Sequence, residues 1–187
     1  MSEHLYERSF RVAAPVERVV RFFADGEAWY RLNPEWEVLA LERDDAGQRL
    51  KVRYERSERE VEYCRPASAE FSNAGGTIVL AGTPARSIEL QLIPEGDFTR
   101  IDWRETFPEP VETAQLAELN LWLDAAAGYL GFAARQDRRA RLTCWLLDRV
   151  WLRMSPMSRR ISLMIVGMEF LALLLFIAIV IVYRLTG

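Results

Sequence analysis

The sequence predicts an α+β protein in which an antiparallel sheet curves around a long helix, followed by one transmembrane helix. Three observations support this prediction. Six segments between residues 36 and 107 alternate apolar and polar side chains, as strands with one buried face do. Residues 113–137 repeat apolar side chains at helical spacing instead. Residues 161–183 form an apolar run long enough to cross a bilayer.

The chain opens with a predicted strand and two short helices. Residues 6–12 alternate apolar and polar side chains, which is typical of a half-buried strand. Pro15 suits the start of a helix and Gly26 its end. Residues 27–34 predict a short second helix that closes at Asn33-Pro34.

A meander of six strands follows these helices. Turns rich in Gly, Asn, Asp and Pro separate the strands, which indicates antiparallel neighbours. Apolar side chains share one face and charged side chains occupy the other, so we expect a sheet covered on one side only. The predicted strands are 36–43, 49–57, 59–67, 77–83, 86–94 and 98–107.

The predicted cover of the apolar face is the helix 113–137. Pro108 and Pro110 stop the last strand, and Thr113 can cap the helix. Packing the apolar stripe of this helix on the sheet is the economical way to bury both surfaces. The stripe comprises Leu116, Leu119, Leu123, Ala126, Leu130 and Ala133.

The apolar run 161–183 carries one formal charge, Glu169. Its Leu, Ile, Val and Phe residues favour insertion by about 7 kcal/mol in total, against a cost of about 3 kcal/mol for the acid. The alternative, a buried core helix, would ordinarily keep a polar face. We therefore expect a single-pass membrane anchor in contact with lipid.

Charges beside the anchor predict its orientation. Four arginines lie shortly before it and only Arg184 follows, which by the positive-inside rule keeps the N-terminal part in the cytoplasm. The first residues lack the apolar core of a signal peptide, and the two cysteines lack a paired spacing. We expect a tail-anchored protein of the cytoplasmic (inner) membrane. The arginines before the anchor are Arg149, Arg153, Arg159 and Arg160.

The opening segment FRVAAPVERVVRFFADGEAWYRLNPEWEVLALE resembles the start of the START/SRPBCC superfamily, the polyketide-cyclase-like proteins with a helix-grip fold. There a strand leads into Ala-Pro-x-Glu-x-Val and an aromatic-rich second helix, and the element order over residues 5–135 agrees. The resemblance implies a hollow between sheet and helix that holds an apolar ligand. With its anchor, the chain is also similar to the G subunits of carbon-monoxide dehydrogenase, membrane-attached members that have been linked to quinones.

Aromatic and polar side chains on the inward register predict the lining of this hollow. A largely apolar cavity with a few polar anchors is the usual small-molecule site. The alternative is that the aromatic rings simply fill the core. The predicted cavity residues are Tyr54, Tyr63, Arg65, Leu90, Trp103, Glu105, Trp122 and Tyr129.

The sequence offers little for catalysis. His4 is the only histidine and lies near the N-terminus, so no Ser-His-acid, Cys-His or metal-ligand set can be assembled around it. We expect no catalytic residue, no metal and no cofactor, although carboxylate, arginine or tyrosine chemistry stays open. The net charge of −3 gives no basic footprint for nucleic acid.

Residues 138–157 predict an amphipathic connector, an extension of the long helix that breaks near Pro156. Its apolar stripe could lie on lipid headgroups or dock on a partner protein. Glu169 lies about 12 Å into the span, where a carboxyl is costly unless it is protonated or paired. We expect an integral membrane partner, contacted through Cys144, Leu147, Trp151 and Glu169.

These observations predict a START-like domain over residues 1–137, the connector 138–157 and the anchor with its tail over 158–187. The leading function is membrane-tethered binding of a hydrophobic small molecule, such as a quinone, lipid or polyketide-like compound, as a carrier or an accessory component of a membrane complex. One alternative is a cyclase or dehydratase that acts on an aromatic or polyketide substrate. Another is a purely structural component of a membrane complex.

Overall fold

The computed structural model describes residues 4–67, 71–82, 85–107, 110–135 and 137–186. Pro108, Gln136 and the predicted strand end at residue 83 lie outside these residues. The strands are β1 His4–Val12, β2 Trp36–Asp44, β3 Gly47–Tyr54, β4 Glu60–Pro66, β5 Gly75–Leu80, β6 Arg86–Glu95 and β7 Phe98–Phe107. The helices are α1 Val16–Asp25, α2 Glu27–Arg31, α3 Thr113–Ala134, α4 Arg138–Arg149 and α5 Pro156–Thr186, with a 3-10 turn over Trp151–Arg153. The α+β fold class and the element order are confirmed.

The strands form two antiparallel sheets joined by one isolated bridge. Four of them pair in the order β1-β7-β6-β5 and three in the order β2-β3-β4. The two groups meet where the backbones of Cys64 and Ala81 exchange two hydrogen bonds of 2.8 Å. The predicted alternation is confirmed in β4, where Val61, Tyr63 and Arg65 are buried and their neighbours exposed.

Helices α1 and α2 close one end of the sheet. The C-cap of α1 is Gly26, with φ 75° and its N–H bonded to the Phe22 carbonyl oxygen. A Cβ at Gly26 would lie 2.8 Å from the Tyr30 ring, so glycine is needed both for the positive φ and for space. The sharp turn brings Trp29 and Tyr30 of α2 into the core.

Helix α3 lies on the concave face of the sheet, as predicted. Its Trp122 ring stacks on Trp29 at 4.6 Å between centroids and donates its indole N–H to the Trp29 carbonyl oxygen at 2.8 Å. At the start of α3 the capping residue is Glu112 rather than Thr113. The Glu112 side chain accepts from the third helical N–H, and Gln115 reaches back to the Glu112 backbone in a capping box.

The chain turns sharply after α3, which corrects the prediction of one extended helix. Helix α3 ends at Ala134 because Arg135 adopts an extended backbone. Asp137 then caps α4, its carboxylate accepting from the Ala140 N–H at 3.2 Å. Helix α4 folds back beside α3, where the Tyr129 hydroxyl donates to Asp148 at 2.8 Å. The connector therefore packs beside α3 and does not extend beyond it.

Helix α5 leaves the domain and is long and apolar enough to cross a membrane. It starts at Pro156, where the Ser155 hydroxyl accepts from the Ser158 N–H at 3.2 Å. Its large apolar side chains from Ile161 to Tyr183 are exposed. Such a surface is unsuited to water and fits a lipid environment.

Candidate functional site

The main cavity, of about 780 Å³, lies between the N-terminal half of α3 and the sheet. The start of β2, the β3–β4 hairpin and the start of β6 form its other walls. Its volume falls in the range of small-molecule sites. The lining includes Asn33, Glu35, Trp36, Tyr54, Arg56, Arg86, Leu119 and Trp122.

Arg86 is the central polar group of the main cavity. Its guanidinium carbon lies 5.5 Å from the ring centroid of Trp36 and 5.2 Å from that of Trp122. Its Nε donates to Oε1 of the fully buried Glu105 at 2.5 Å. Burial opposes the positive charge, but the Glu105 carboxylate outweighs it and raises the pKa of Arg86. The arginine is therefore a fixed cation that lies beside two adjacent aromatic rings, whose centroids are 5.2 Å apart.

Two tyrosines, Tyr54 and Tyr63, add hydroxyl groups to the polar part of this wall. The hydroxyls of Tyr54 and Tyr63 lie 2.6 Å apart in a hydrogen bond. Burial raises the pKa of Tyr63, and the neighbouring Tyr54 adds to the rise. The Tyr63 phenol is therefore neutral near pH 7. The Trp36 ring stacks on Tyr63 at 5.4 Å, which holds the wall in place.

A charged rim surrounds the mouth of the main cavity. Arg56 lies 3.4 Å from Glu35 and 2.7 Å from Glu118 of α3, so it bridges the hairpin to the helix. Burial raises the pKa of the Glu35 carboxyl and Glu118 raises it further, while Arg56 and Arg160 oppose the rise. We call Glu35, Arg56 and Glu118 the rim triad.

The eight predicted cavity residues divide into four pairs. Tyr54 and Trp122 line the main cavity. Tyr63 and Glu105 lie directly behind the lining, bonded to Tyr54 and Arg86. Leu90 and Trp103 belong to the packed core and are almost fully buried.

The remaining two predicted cavity residues, Arg65 and Tyr129, lie elsewhere. Arg65 is buried and donates to the Phe23 carbonyl oxygen at 2.7 Å, near the C-terminal end of α1. Such a cation stabilises a helix C-terminus. Tyr129 packs its ring on Phe22 at 5.6 Å and bonds to α4. Both hold helices together, and neither lines the main cavity.

Sequence reasoning did not single out Arg86 or Glu35. Arg86 begins β6 in the same inward register as Ile88 and Leu90, so a charged residue on an apolar face was the available signal. Glu35 follows Asn33-Pro34 in a turn, where periodicity carries no information. Within the described residues no group of three potential metal ligands occurs.

The predicted partner-contact residues lie in two places. Cys144, Leu147 and Trp151 are half-buried, on the side of the connector that packs on the domain. Glu169 is exposed on α5. The exposed apolar side chains of the connector are instead Leu142, Trp145, Leu146 and Val150.

Solved structures with similar folds were found. A START superfamily protein from Mycobacterium smegmatis is 20% identical with a TM-score of 0.50, covering 68% of this chain and 97% of its own. A Chromobacterium violaceum protein is 14% identical with a TM-score of 0.55, covering 68% and 97%. An aromatase/cyclase from Streptomyces sp. R1128 is 14% identical with a TM-score of 0.53, covering 72% and 98%.

These similarities define the class of fold: residues before the connector form a START-like helix-grip domain. The similarity to START/SRPBCC proteins, polyketide aromatase/cyclases among them, agrees with the resemblance in the opening segment. No protein-family model and no curated protein matches this chain. The identities of 14–20% show the fold alone.

Proposed function

We propose that this protein binds a hydrophobic small molecule in the main cavity while α5 anchors it in a membrane. The observation that carries the proposal is Arg86, a half-buried cation beside two tryptophan rings at the wall of a cavity of about 780 Å³. A START-like fold suits such a role, because its helix covers the concave face of a sheet and leaves space between them.

The chemistry of the wall favours a ligand with a flat or aliphatic body and an exposed oxygen. Phe107 and Val111 offer half-buried apolar surface in the lining, and its burial by a ligand favours binding by about 25 cal/mol per Å². Arg86 and Tyr54 can donate hydrogen bonds to a carbonyl, carboxylate or phenolate oxygen. A quinone, a lipid or a polyketide-like compound has this combination.

The proposed anchor keeps this domain beside a membrane. Four arginines before the span, against Arg184 after it, favour an arrangement with the domain on the cytoplasmic side of the inner membrane. In this arrangement the protein acts as a carrier or as an accessory component of a membrane complex. The similarity to the G subunits of carbon-monoxide dehydrogenase favours quinones as the ligand and stays a prediction.

An enzyme of cyclase or dehydratase type is the second candidate. The observation that favours it is the Tyr54–Tyr63 pair beside Arg86, since an arginine can stabilise an enolate oxygen while a phenol moves a proton. The Streptomyces protein is an aromatase/cyclase. A Tyr54→Phe variant separates the two candidates, because a carrier loses affinity whereas an enzyme loses turnover with its affinity retained.

A purely structural component of a membrane complex is the third candidate. It requires a partner, and we propose an integral membrane protein that meets Glu169 through a hydrogen-bond donor on a neighbouring helix. Replacement of Glu169 by Leu should then remove co-purifying proteins while α5 still inserts. If the same proteins co-purify in the same amounts, Glu169 is not a partner contact.

Native mass spectrometry of the detergent-solubilised full chain tests ligand binding. The double variant Arg86→Met with Glu105→Gln removes the buried pair without leaving one charge alone. A matched control is Arg104→Met with Glu7→Gln, an exposed pair of 2.6 Å on the outer face of the same sheet. We expect the first variant to lose retained ligand by about tenfold, because a hydrogen bond to a charged group contributes about 1.5–3 kcal/mol. Equal retention in both variants contradicts the proposal.

A further inference from the structure

The first turn of the anchor is bonded to the domain. Arg159 donates to the Arg31 carbonyl oxygen at 2.9 Å, and Arg160 donates to the Pro34 carbonyl oxygen at 3.1 Å. Arg160 also pairs with Glu55 at 3.1 Å. Helix α5 therefore starts from a fixed point on the domain surface instead of from a flexible linker.

That fixed point is the rim of the main cavity. Arg160 lies 3.6 Å from the Glu35 carboxylate, and the same carboxylate oxygen lies 3.4 Å from Arg56 of the rim triad. Glu35 and its neighbour Asn33 line the cavity. One carboxylate thus contacts both the anchor and the cavity mouth.

The apolar part of α5 begins one residue after Arg160, at Ile161. From there to Tyr183 its large apolar side chains are exposed, so the hydrocarbon boundary falls near Ile161. The headgroup layer on each side of a bilayer is about 5–8 Å thick. Glu35, within ion-pair distance of Arg160, lies inside that layer when α5 spans the membrane.

We infer that the main cavity opens into the headgroup layer of the bilayer, held there by the ion pairs of Arg160. Apolar ligands then exchange between the lipid and the cavity without crossing bulk water. This exchange depends on the proposed function, whereas the placement of the mouth depends only on insertion of α5. The opposite end of α3, a helix of 22 residues and about 33 Å, lies at the far end of the domain from this mouth.

The two ends of the domain can be compared with fluorescent labels. Ser57 lines the mouth, and Asp97 lies in the β6–β7 turn, beside the C-terminal half of α3. Each is replaced by Cys in a full chain in which Cys64 and Cys144 are Ser, labelled with an environment-sensitive dye and reconstituted into phosphatidylcholine vesicles. A nitroxide on the lipid headgroup is the quencher, and iodide in the buffer is the second quencher.

We expect the headgroup nitroxide to quench the Ser57 label several-fold more than the Asp97 label. Arg160→Gln should reduce the quenching at Ser57, whereas the control Arg153→Gln, at an exposed arginine just before the anchor, should not. Equal quenching at the two ends overturns the inference. Protection of the Ser57 label from both quenchers also overturns it, because a protein partner and not lipid would then cover the mouth.

These results are separable from the test of the proposed function. A protein that retains no ligand in detergent but shows the quenching difference refutes ligand binding and supports the placement of the mouth. A protein that retains ligand but shows equal quenching refutes the placement alone.

Discussion

The two halves of α3 pack against the same curved sheet in different ways. The C-terminal half buries Leu123, Ala126 and Leu130 in the core formed with the sheet and α1. The N-terminal half leaves the main cavity, walled by Trp36, Arg86 and charged groups at the rim. Both halves of α3 have the same spacing of apolar side chains. They differ in the elements that lie opposite them. Helices α1 and α2 pack on one side, where a smaller pocket of about 540 Å³ remains beside Gly131 and Phe132, and among the described residues no helix packs on the other.

The tryptophans at the boundary between the halves fix the depth of the cavity. Trp103 lies 6.1 Å from Trp29 and 6.4 Å from Trp122 between ring centroids, and all three are almost fully buried. A ligand can therefore reach Trp122 but not Trp103. The close packing of these tryptophans keeps the inner wall rigid, and a rigid wall prevents the main cavity from collapsing.

The largest effect is expected on stability, from a substitution in the packed core beside α3. Trp103→Ala should lower the free energy of unfolding by about 3–5 kcal/mol, because a large buried side chain is removed and a void is left. Tyr54→Phe, in the open half, should lower it by only about 1 kcal/mol through loss of the bond to Tyr63. Chemical denaturation of both variants measures the difference, and similar losses would show that the open half is packed as tightly as the rest.

The next largest effect is expected on ligand retention, from a substitution that fills the main cavity. Ala114 lines the main cavity on an exposed turn of α3, so Ala114→Trp places a ring in the space without displacing a core residue. We expect ligand retention to fall about tenfold, or about 1.4 kcal/mol, with the free energy of unfolding unchanged within about 0.5 kcal/mol. Ala117→Trp, on the exposed part of the same helix and outside the lining, is the control. Equal retention in both variants would place the ligand elsewhere.

The smallest effect concerns the rim. The pKa of Glu35 is raised above its ordinary value of 4.5, so the folded state holds the proton more tightly than the unfolded state. Its contribution to stability is present below pH 4.5 and is lost as the pH rises through the folded-state pKa. Unfolding measured from pH 4 upward should show this loss in the wild type and not in Glu35→Gln. A stability difference between the two that does not change with pH contradicts the raised pKa.

The strand alternation made most of the fold predictable. In each strand, apolar residues two positions apart indicate the buried face, as Leu50 and Val52 do in β3. The structure buries the residues that this alternation predicts. The break after Ala134 was missed because it contains neither Gly nor Pro. Its signal was Asp137, a capping residue three positions before a buried alanine.

The candidate site was predicted less well for a physical reason. Alternation tells which side of a strand a residue is on, but not whether the space opposite is filled. Arg65 and Arg86 both occupy the inward register, yet Arg65 meets the end of α1 while Arg86 meets the cavity. The contact between Arg160 and Glu35 joins residues far apart in sequence, which no local pattern reports.

The central claim is that the N-terminal half of α3 holds a ligand against Arg86. The most direct test is an experimental structure of the full chain purified from its own membranes with its retained ligand. We expect ligand density in the main cavity beside Trp36 and Trp122, with an oxygen about 3 Å from the Arg86 guanidinium or the Tyr54 hydroxyl. Ligand density at the opposite end of α3, beside Gly131 and Phe132, or a main cavity filled by side chains, would contradict the claim.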